Sequence, residues 1–186
     1  MMEKAKRTAI LLPESFCCRE LSAVLTVLYQ GCKNYDIFAS GETVASEEGL
    51  TVLRTKNPRS FNIANYDSLF VAGSMDIVSA AEDSALIAFL RCFDSGKHII
   101  AGCSTAPLLL IKSGLLAGRS FTGDVTPSDA EECGIECEDS GLPYGFLEPD
   151  GVVFDDNMLT AAGAQAGELA AALGELLGLE PENNEE

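Results

Sequence analysis

The sequence has little positive charge and almost no histidine. Only 12 of its 186 residues are Lys or Arg, against 29 Asp or Glu, which gives a formal net charge of −17. Nucleic-acid affinity rests on Lys and Arg that neutralise phosphates, so DNA, RNA and anionic membrane surfaces are not expected partners. His98 is the only histidine. A metal or catalytic centre that needs several histidines is therefore excluded.

The sequence also lacks long apolar runs and a disulfide framework. No stretch approaches the roughly 20 apolar residues of a membrane span, and the apolar run at residues 9–12 is too short for a secretory signal. The seven cysteines are an odd number, and Cys17 and Cys18 are adjacent. Cys133 and Cys137 have no second Cys or His pair, so no metal site is expected. These features predict a cytoplasmic protein with free thiols and no cofactor.

The sequence contains enough apolar residues to form the core of one domain. Apolar residues make up 47% of the chain, which predicts a single domain over residues 1–186, with a core at about 7–178 and a solvated acidic tail at 179–186. Continuous apolar runs of strand length predict strands buried on both faces. Four such runs occur, at residues 8–12, 35–39, 68–72 and 98–102.

Helical patterns separate these runs. An apolar stripe predicts the first helix, which Gly31 closes; the stripe consists of Leu21, Val24, Leu25 and Leu28. Further helices are predicted over residues 82–93, 104–112 and 165–177, with a hairpin over 152–160. The alternation predicts an α/β fold, a doubly wound, flavodoxin-like open parallel sheet with helices on both faces.

In such sheets, ligands bind beyond the carboxyl ends of the strands. Cys103 joins the strand at 98–102 directly to a helix, which is the setting of a nucleophile elbow. A helix N-terminus lowers the pKa of a thiol, so this position predicts that Cys103 is the most reactive of the seven cysteines. The alternative is that Cys103 is a small buried hydrophobe, a common role of a free cysteine.

Two further strand ends carry candidate residues. Glu14 follows the first strand; if that strand neighbours the one before Cys103, a buried Glu14 carboxyl has a raised pKa and donates a hydrogen bond to sulfur. The alternative is a solvated surface acid. Gly73 and Ser74 close the strand at 68–72, and with Ser104 their backbone groups are the candidate oxyanion hole.

Together these residues resemble the ThiJ/PfpI superfamily, relatives of the class I glutamine amidotransferases. The similarity covers about residues 7–178 and is most specific in IIAGCSTAPL at 99–108, with GLLAGR at 114–119. Supporting matches are LPE at 12–14, YDSLFVAG at 66–73 and DNMLTAAG at 156–163.

The resemblance implies that Cys103 is the reactive cysteine, that Glu14 is the acid bonded to it, and that Gly73 and Ser74 supply oxyanion-hole backbone. It also implies a homodimer. Asp124 stands where many relatives carry a histidine, and we therefore include it among the candidate catalytic residues.

Three functions are open to such a chain. One is an enzyme acting on a small electrophile, such as an α-ketoaldehyde or an isonitrile. Another is a sensor or binding protein whose cysteine is oxidised, and the third is a silent scaffold of the same fold. His98 begins the strand that Cys103 follows, which separates them by about 16 Å. Protease and amidotransferase triads, which need a nearby histidine, are therefore not expected.

Overall fold

In a computed structural model the chain forms a central sheet with helices on both sides. The structure describes residues 5–94, 96–137, 142, 145–147 and 151–179. The strands are β1 (Arg7–Leu11), β2 (Tyr35–Phe38), β3 (Thr43–Ala45), β4 (Thr51–Leu53), β5 (Tyr66–Val71), β6 (Ile99–Cys103), β7 (Ser120–Phe121), β8 (Gly145–Phe146), β9 (Val152–Asp155) and β10 (Met158–Ala161). The helices are α1 (Cys18–Gln30), α2 (Ile77–Glu82), α3 (Ser84–Leu90), α4 (Ala106–Ser113), α5 (Pro127–Glu132) and α6 (Ala166–Leu176).

The main sheet has six strands in the order β2-β1-β5-β6-β10-β9. All neighbours are parallel except β9 and β10, which form the predicted hairpin. Parallel strands joined through helices need both faces covered. The doubly wound α/β fold that the sequence predicts is confirmed.

The core lies on both faces of this sheet. Successive residues of a strand point to opposite sides, and in β1 Ala9 and Leu11 pack with α2, α3 and α4, whereas Ile10 packs with α1 and α6. All three side chains are fully buried. This explains why β1 reads as a continuous apolar run rather than an alternating one.

Helix α1 follows the predicted stripe, with Leu21, Val24 and Leu28 buried against α6, and ends at Gly31. One acid, Glu20, shares this buried face. It lies four residues before Val24, on the line of the stripe, where a carboxyl is unusual.

Two sequence predictions are wrong in the fold. The helix expected over residues 82–93 is shorter, because α3 covers only Ser84–Leu90; it begins after Asp83, whose side chain accepts hydrogen bonds from Ala85 N–H and Leu86 N–H, and the helix α2 before it was not predicted. The strand bearing Glu14 does not neighbour the strand bearing Cys103, because β5 lies between β1 and β6.

Among the described residues, none of the helices has both the length and the apolar character to cross a membrane.

Candidate active site

The sharp turn between β6 and α4 is centred on Ser104. Ser104 has φ of +56°, in the left-handed region that non-glycine residues rarely adopt, whereas Cys103 is the last residue of the strand. The sequence prediction that Cys103 occupies the tip of the elbow is wrong by one residue. The hydroxyl of Ser104, not the thiol of Cys103, borders the open space above the sheet.

Two glycines make room for this turn. A Cβ on Gly73 would lie 2.7 Å from Ser104 Cβ, and a Cβ on Gly123 would lie 2.5 Å from the Ser104 carbonyl oxygen. Real Cβ atoms do not approach so closely. The strained turn therefore depends on glycine at both positions.

Cys103 is fully buried, with 0% of its surface exposed, and packs among the apolar residues on the α1 and α6 side of the sheet. Its Sγ lies 3.6 Å from the carbonyl oxygen of Ala162. Burial raises the pKa of the Cys103 thiol, and the nearby Glu20 and Asp124 carboxyls raise it further. This environment disfavours the thiolate, so the proposed reactivity of Cys103 stays a prediction.

The acid nearest this turn is Glu20, which sequence reasoning missed. Its side chain lies at the start of α1 with only 2% of the residue exposed, and Oε2 accepts a 2.7 Å hydrogen bond from Gly73 N–H. Burial raises the pKa of Glu20 to about 7, with a further increase from Asp124, while Gly73 N–H and Arg19 oppose the shift. The signal that could have found it was an acid on the apolar stripe of α1.

Glu14 occupies a different place. Its side chain is exposed, and Oε1 accepts a 3.3 Å hydrogen bond from Ala45 N–H. It lines a separate depression with Ser40 and Asp83. The predicted pairing of Glu14 with Cys103 is wrong, because β5 intervenes and because the two side chains lie in exposed and fully buried surroundings respectively.

The backbone groups expected to form an oxyanion hole are already engaged. Gly73 N–H donates to Glu20, and Ser74 N–H donates to Thr105 Oγ1 at 2.9 Å. The Ser104 hydroxyl, by contrast, makes no hydrogen bond with any residue that the structure describes. A ligand therefore meets the hydroxyl of Ser104 rather than open N–H groups of Gly73 and Ser74.

Asp124 lies at the same cleft, and its expected catalytic role stays a prediction. Its Oδ2 accepts a 2.8 Å hydrogen bond from Gly163 N–H, and its own N–H donates to the Ser104 carbonyl oxygen at 2.9 Å. A Cβ on Gly163 would lie 3.1 Å from Asp124 Oδ2, 3.2 Å from Glu20 Oε1 and 3.3 Å from Arg19 Nη2. The two carboxyls and the guanidinium thus converge beside Gly163.

These groups line a cleft of about 360 Å³ beyond the carboxyl ends of β1, β5 and β6. Its volume suits a small molecule. The cleft wall carries the carboxyls of Glu20, Glu47, Asp124 and Asp129 against the single guanidinium of Arg19. An excess of carboxylates repels anions and favours neutral or cationic ligands.

The relationships of this chain are clear from its sequence and its fold. The model of the DJ-1/PfpI family matches residues 6–175, which is most of the chain. The chain belongs to the DJ-1/PfpI family. The resemblance inferred from the elbow segment and its supporting matches is thereby confirmed, while no curated protein matches the sequence significantly.

Solved structures agree on the fold of this DJ-1/PfpI protein. Drosophila melanogaster DJ-1beta is 23% identical, with a TM-score of 0.77 over 95% of this chain and 92% of that one. A mutant of a DJ-1 superfamily protein from Salmonella typhimurium is 22% identical, with a TM-score of 0.74 over 93% and 91%. Schizosaccharomyces pombe DJ-1 is 16% identical, with a TM-score of 0.72 over 92% and 91%. At these identities the likeness shows the fold alone.

One group of side chains in this DJ-1/PfpI protein has metal-ligand spacing. Potential ligand atoms of Cys17, Glu47 and Glu48 lie within 4.8 Å of one another at the rim of the cleft. Both glutamates are exposed, and exposed acids often cluster in this way without a cation. We assign no metal to them.

Proposed function

We propose that this protein is a hydratase-type enzyme that adds water to the electrophilic carbon of a small neutral or cationic compound. The observation that supports it best is the buried carboxyl of Glu20 at the wall of the cleft, next to the strained turn at Ser104. A carboxyl with a pKa of about 7 exchanges protons readily near neutral pH. α-Ketoaldehydes and isonitriles are the substrate classes to test first.

In the proposed reaction, ionised Glu20 accepts a proton from a bound water as the water oxygen forms a bond to the electrophilic carbon. The electron pair displaced from the carbon's multiple bond moves to a substrate atom, which then receives the proton back from Glu20. The net change is addition of H and OH: an isonitrile gives a formamide, and an α-ketoaldehyde gives a 2-hydroxy acid once the aldehyde hydrogen of the hydrate has moved to the neighbouring carbonyl carbon. The Ser104 hydroxyl donates a hydrogen bond to the substrate as negative charge develops.

This proposal differs from the thiolate chemistry expected from the sequence. Full burial of Cys103 and the neighbouring carboxyls of Glu20 and Asp124 both disfavour a thiolate. The same burial weighs against a readily oxidised sensor cysteine. The proposal therefore assigns proton transfer to Glu20 and leaves Cys103 a packing role.

The test is turnover of a panel of α-ketoaldehydes and isonitriles by wild type and four single variants. Glu20→Gln keeps an oxygen that accepts from Gly73 N–H but removes the titrating group, so we expect kcat/KM to fall about 10²- to 10⁴-fold. Glu14→Gln, an exposed acid outside the cleft, is the matched control and should be unchanged. Ser104→Ala should be impaired, and Cys103→Ala should stay active.

The pH profile adds a second criterion. Since the base must be ionised, kcat/KM of wild type should rise with pH to a plateau above about 7. The proposal fails if folded Cys103→Ala is inactive while Glu20→Gln retains turnover, because that result assigns the chemistry to the thiol. It fails equally if no member of the panel is turned over.

We also propose that the protein is a cytoplasmic homodimer. The structure shows no disulfide among the residues that it describes, which supports a reducing compartment. The dimer was expected from the family resemblance, with part of α1 in the interface. The exposed ring of Tyr29 near the end of α1 supports that placement, because 84% of this large aromatic residue is accessible in the single chain.

A further inference from the structure

A second cavity lies at the opposite edge of the sheet from the candidate active site. It has a volume of about 310 Å³ and is bordered by Arg7 and Tyr66, the first residues of β1 and β5. The other polar residues of its lining are Lys6, Asp36, Lys56 and Asn65. The amino ends of these strands are thus joined by a concave, polar surface of small-molecule size.

The inner wall of this cavity is held by a buried carboxylate. Asp36, 4% exposed, accepts hydrogen bonds from Arg7 Nε at 2.6 Å and from Tyr66 Oη at 2.9 Å. Arg7 Nη2 also donates to the Tyr35 carbonyl oxygen and to Asp36. These bonds fix the guanidinium in place, and Asp36 balances its charge.

Two lysines at the cavity have no ion-pair partner among the described residues. Neither Lys6 nor Lys56 forms an ion pair with any residue that the structure describes. With Arg7 and Asp36 cancelling, the lining carries two net positive charges in a chain whose formal charge is −17. Cations gathered in one concavity of an otherwise acidic protein focus the field on an anion.

We propose that this cavity binds a small dianion, either a phosphate compound or a dicarboxylate. Lys6 and Lys56 supply the balancing charges. Arg7 Nη1, which has no partner among the described residues, and the Asn65 amide supply directional donors. The site is separate from the acidic cleft at the other edge of the sheet, which repels such ligands.

Isothermal titration of the full chain with inorganic phosphate and with succinate, both dianions above neutral pH, tests the site and distinguishes the two ligand types. The double variant Lys6→Gln/Lys56→Gln should weaken binding of the preferred anion about tenfold or more. Lys97→Gln is the matched control, because Lys97 is exposed, pairs only locally with Asp94 and lies outside the cavity. Glu20→Gln tests independence from the cleft.

Binding that is lost in the lysine double variant and kept in Lys97→Gln and Glu20→Gln supports the site. Three results would each overturn it. One is absence of binding of both anions to wild type. The others are equal weakening in Lys97→Gln, which indicates a general charge effect, and tighter binding in Glu20→Gln, which places the anion in the cleft, where the lost carboxylate no longer repels it.

Discussion

Gly73 N–H donates a 2.7 Å hydrogen bond to the buried carboxyl of Glu20, joining the end of β5 to the start of α1 across 53 residues of sequence. The bond holds an acid with a pKa near neutrality beside the turn at Ser104. The absence of a side chain on Gly73 also leaves the space that Ser104 occupies. Gly73 therefore holds the Glu20 carboxyl through its N–H and leaves room for the turn at Ser104 through its missing side chain.

Ionisation of Glu20 should make stability depend on pH. Because its folded pKa of about 7 lies above its ordinary value of 4.5, the folded state holds the proton more tightly than the unfolded state. Stability from this group is therefore complete below about pH 4.5 and is lost as pH rises through about 7, by roughly 3 kcal/mol in total. Urea unfolding of wild type and Glu20→Gln between pH 5 and 8 measures it, and the variant should lack this component. Equal pH slopes would contradict the assignment.

Substitution of Gly73 should destabilise the protein strongly. In Gly73→Ala the new Cβ would lie 2.7 Å from Ser104 Cβ, so the elbow must shift, and we expect a loss of about 1–3 kcal/mol in the free energy of unfolding. Gly167→Ala is the control, because it lies in α6 with nothing within 4 Å of the new Cβ. It should stabilise the helix by up to about 1 kcal/mol. Thermal and urea unfolding give both values, and a harmless Gly73→Ala would show that the turn is not confined.

Replacing Ser104 by glycine should raise the free energy of unfolding and lower the catalytic activity. At φ of +56°, Ser104→Gly should relieve strain and raise stability by about 1 kcal/mol, while removing the hydroxyl from the cleft. Ser104→Ala removes the same hydroxyl without relieving the strain. We therefore expect both variants to lose turnover and only glycine to unfold at higher denaturant. If Ser104→Ala is stabilised as much as Ser104→Gly, backbone strain is not the cause.

Thiol reactivity should follow exposure rather than position at the elbow. Cys32 and Cys92 are exposed, whereas Cys103 is fully buried with a raised pKa, so brief alkylation of the folded protein should label the first two well before Cys103. Peptide mass mapping over time gives the order. Fastest labelling at Cys103 would instead support the reactivity expected from the sequence.

The proposed dimer should depend on α1. Light scattering should give about twice the 19.7 kDa chain mass, and Tyr29→Glu should reduce it toward the monomer by placing a charge in an apolar contact. Phe154→Glu, an equally large change at the exposed edge strand β9, is the control. A monomer mass for wild type over a broad concentration range would contradict the proposal, as would an effect confined to Phe154→Glu.

The sequence by itself determined the architecture. Apolar runs such as the one at β1 indicate strands buried on both faces, because a polar side chain on either face would lose its hydration. The stripe of α1 and its end at Gly31, the β9–β10 hairpin and helix α6 follow from equally local patterns. The elbow segment and its supporting matches were also sufficient to indicate the family.

Tertiary structure alone decided which side chains meet. Glu14 and Glu20 both lie near the end of β1 in sequence, yet strand order separates Glu14 from β6, whereas the packing of α1 carries Glu20 to Gly73. Cys103 and Ser104 are adjacent, and only the backbone turn between strand and helix determines which one faces the cleft. Strand order and the sign of a single φ angle depend on contacts between segments that are distant in sequence. The periodicity of apolar residues along the chain does not predict these contacts.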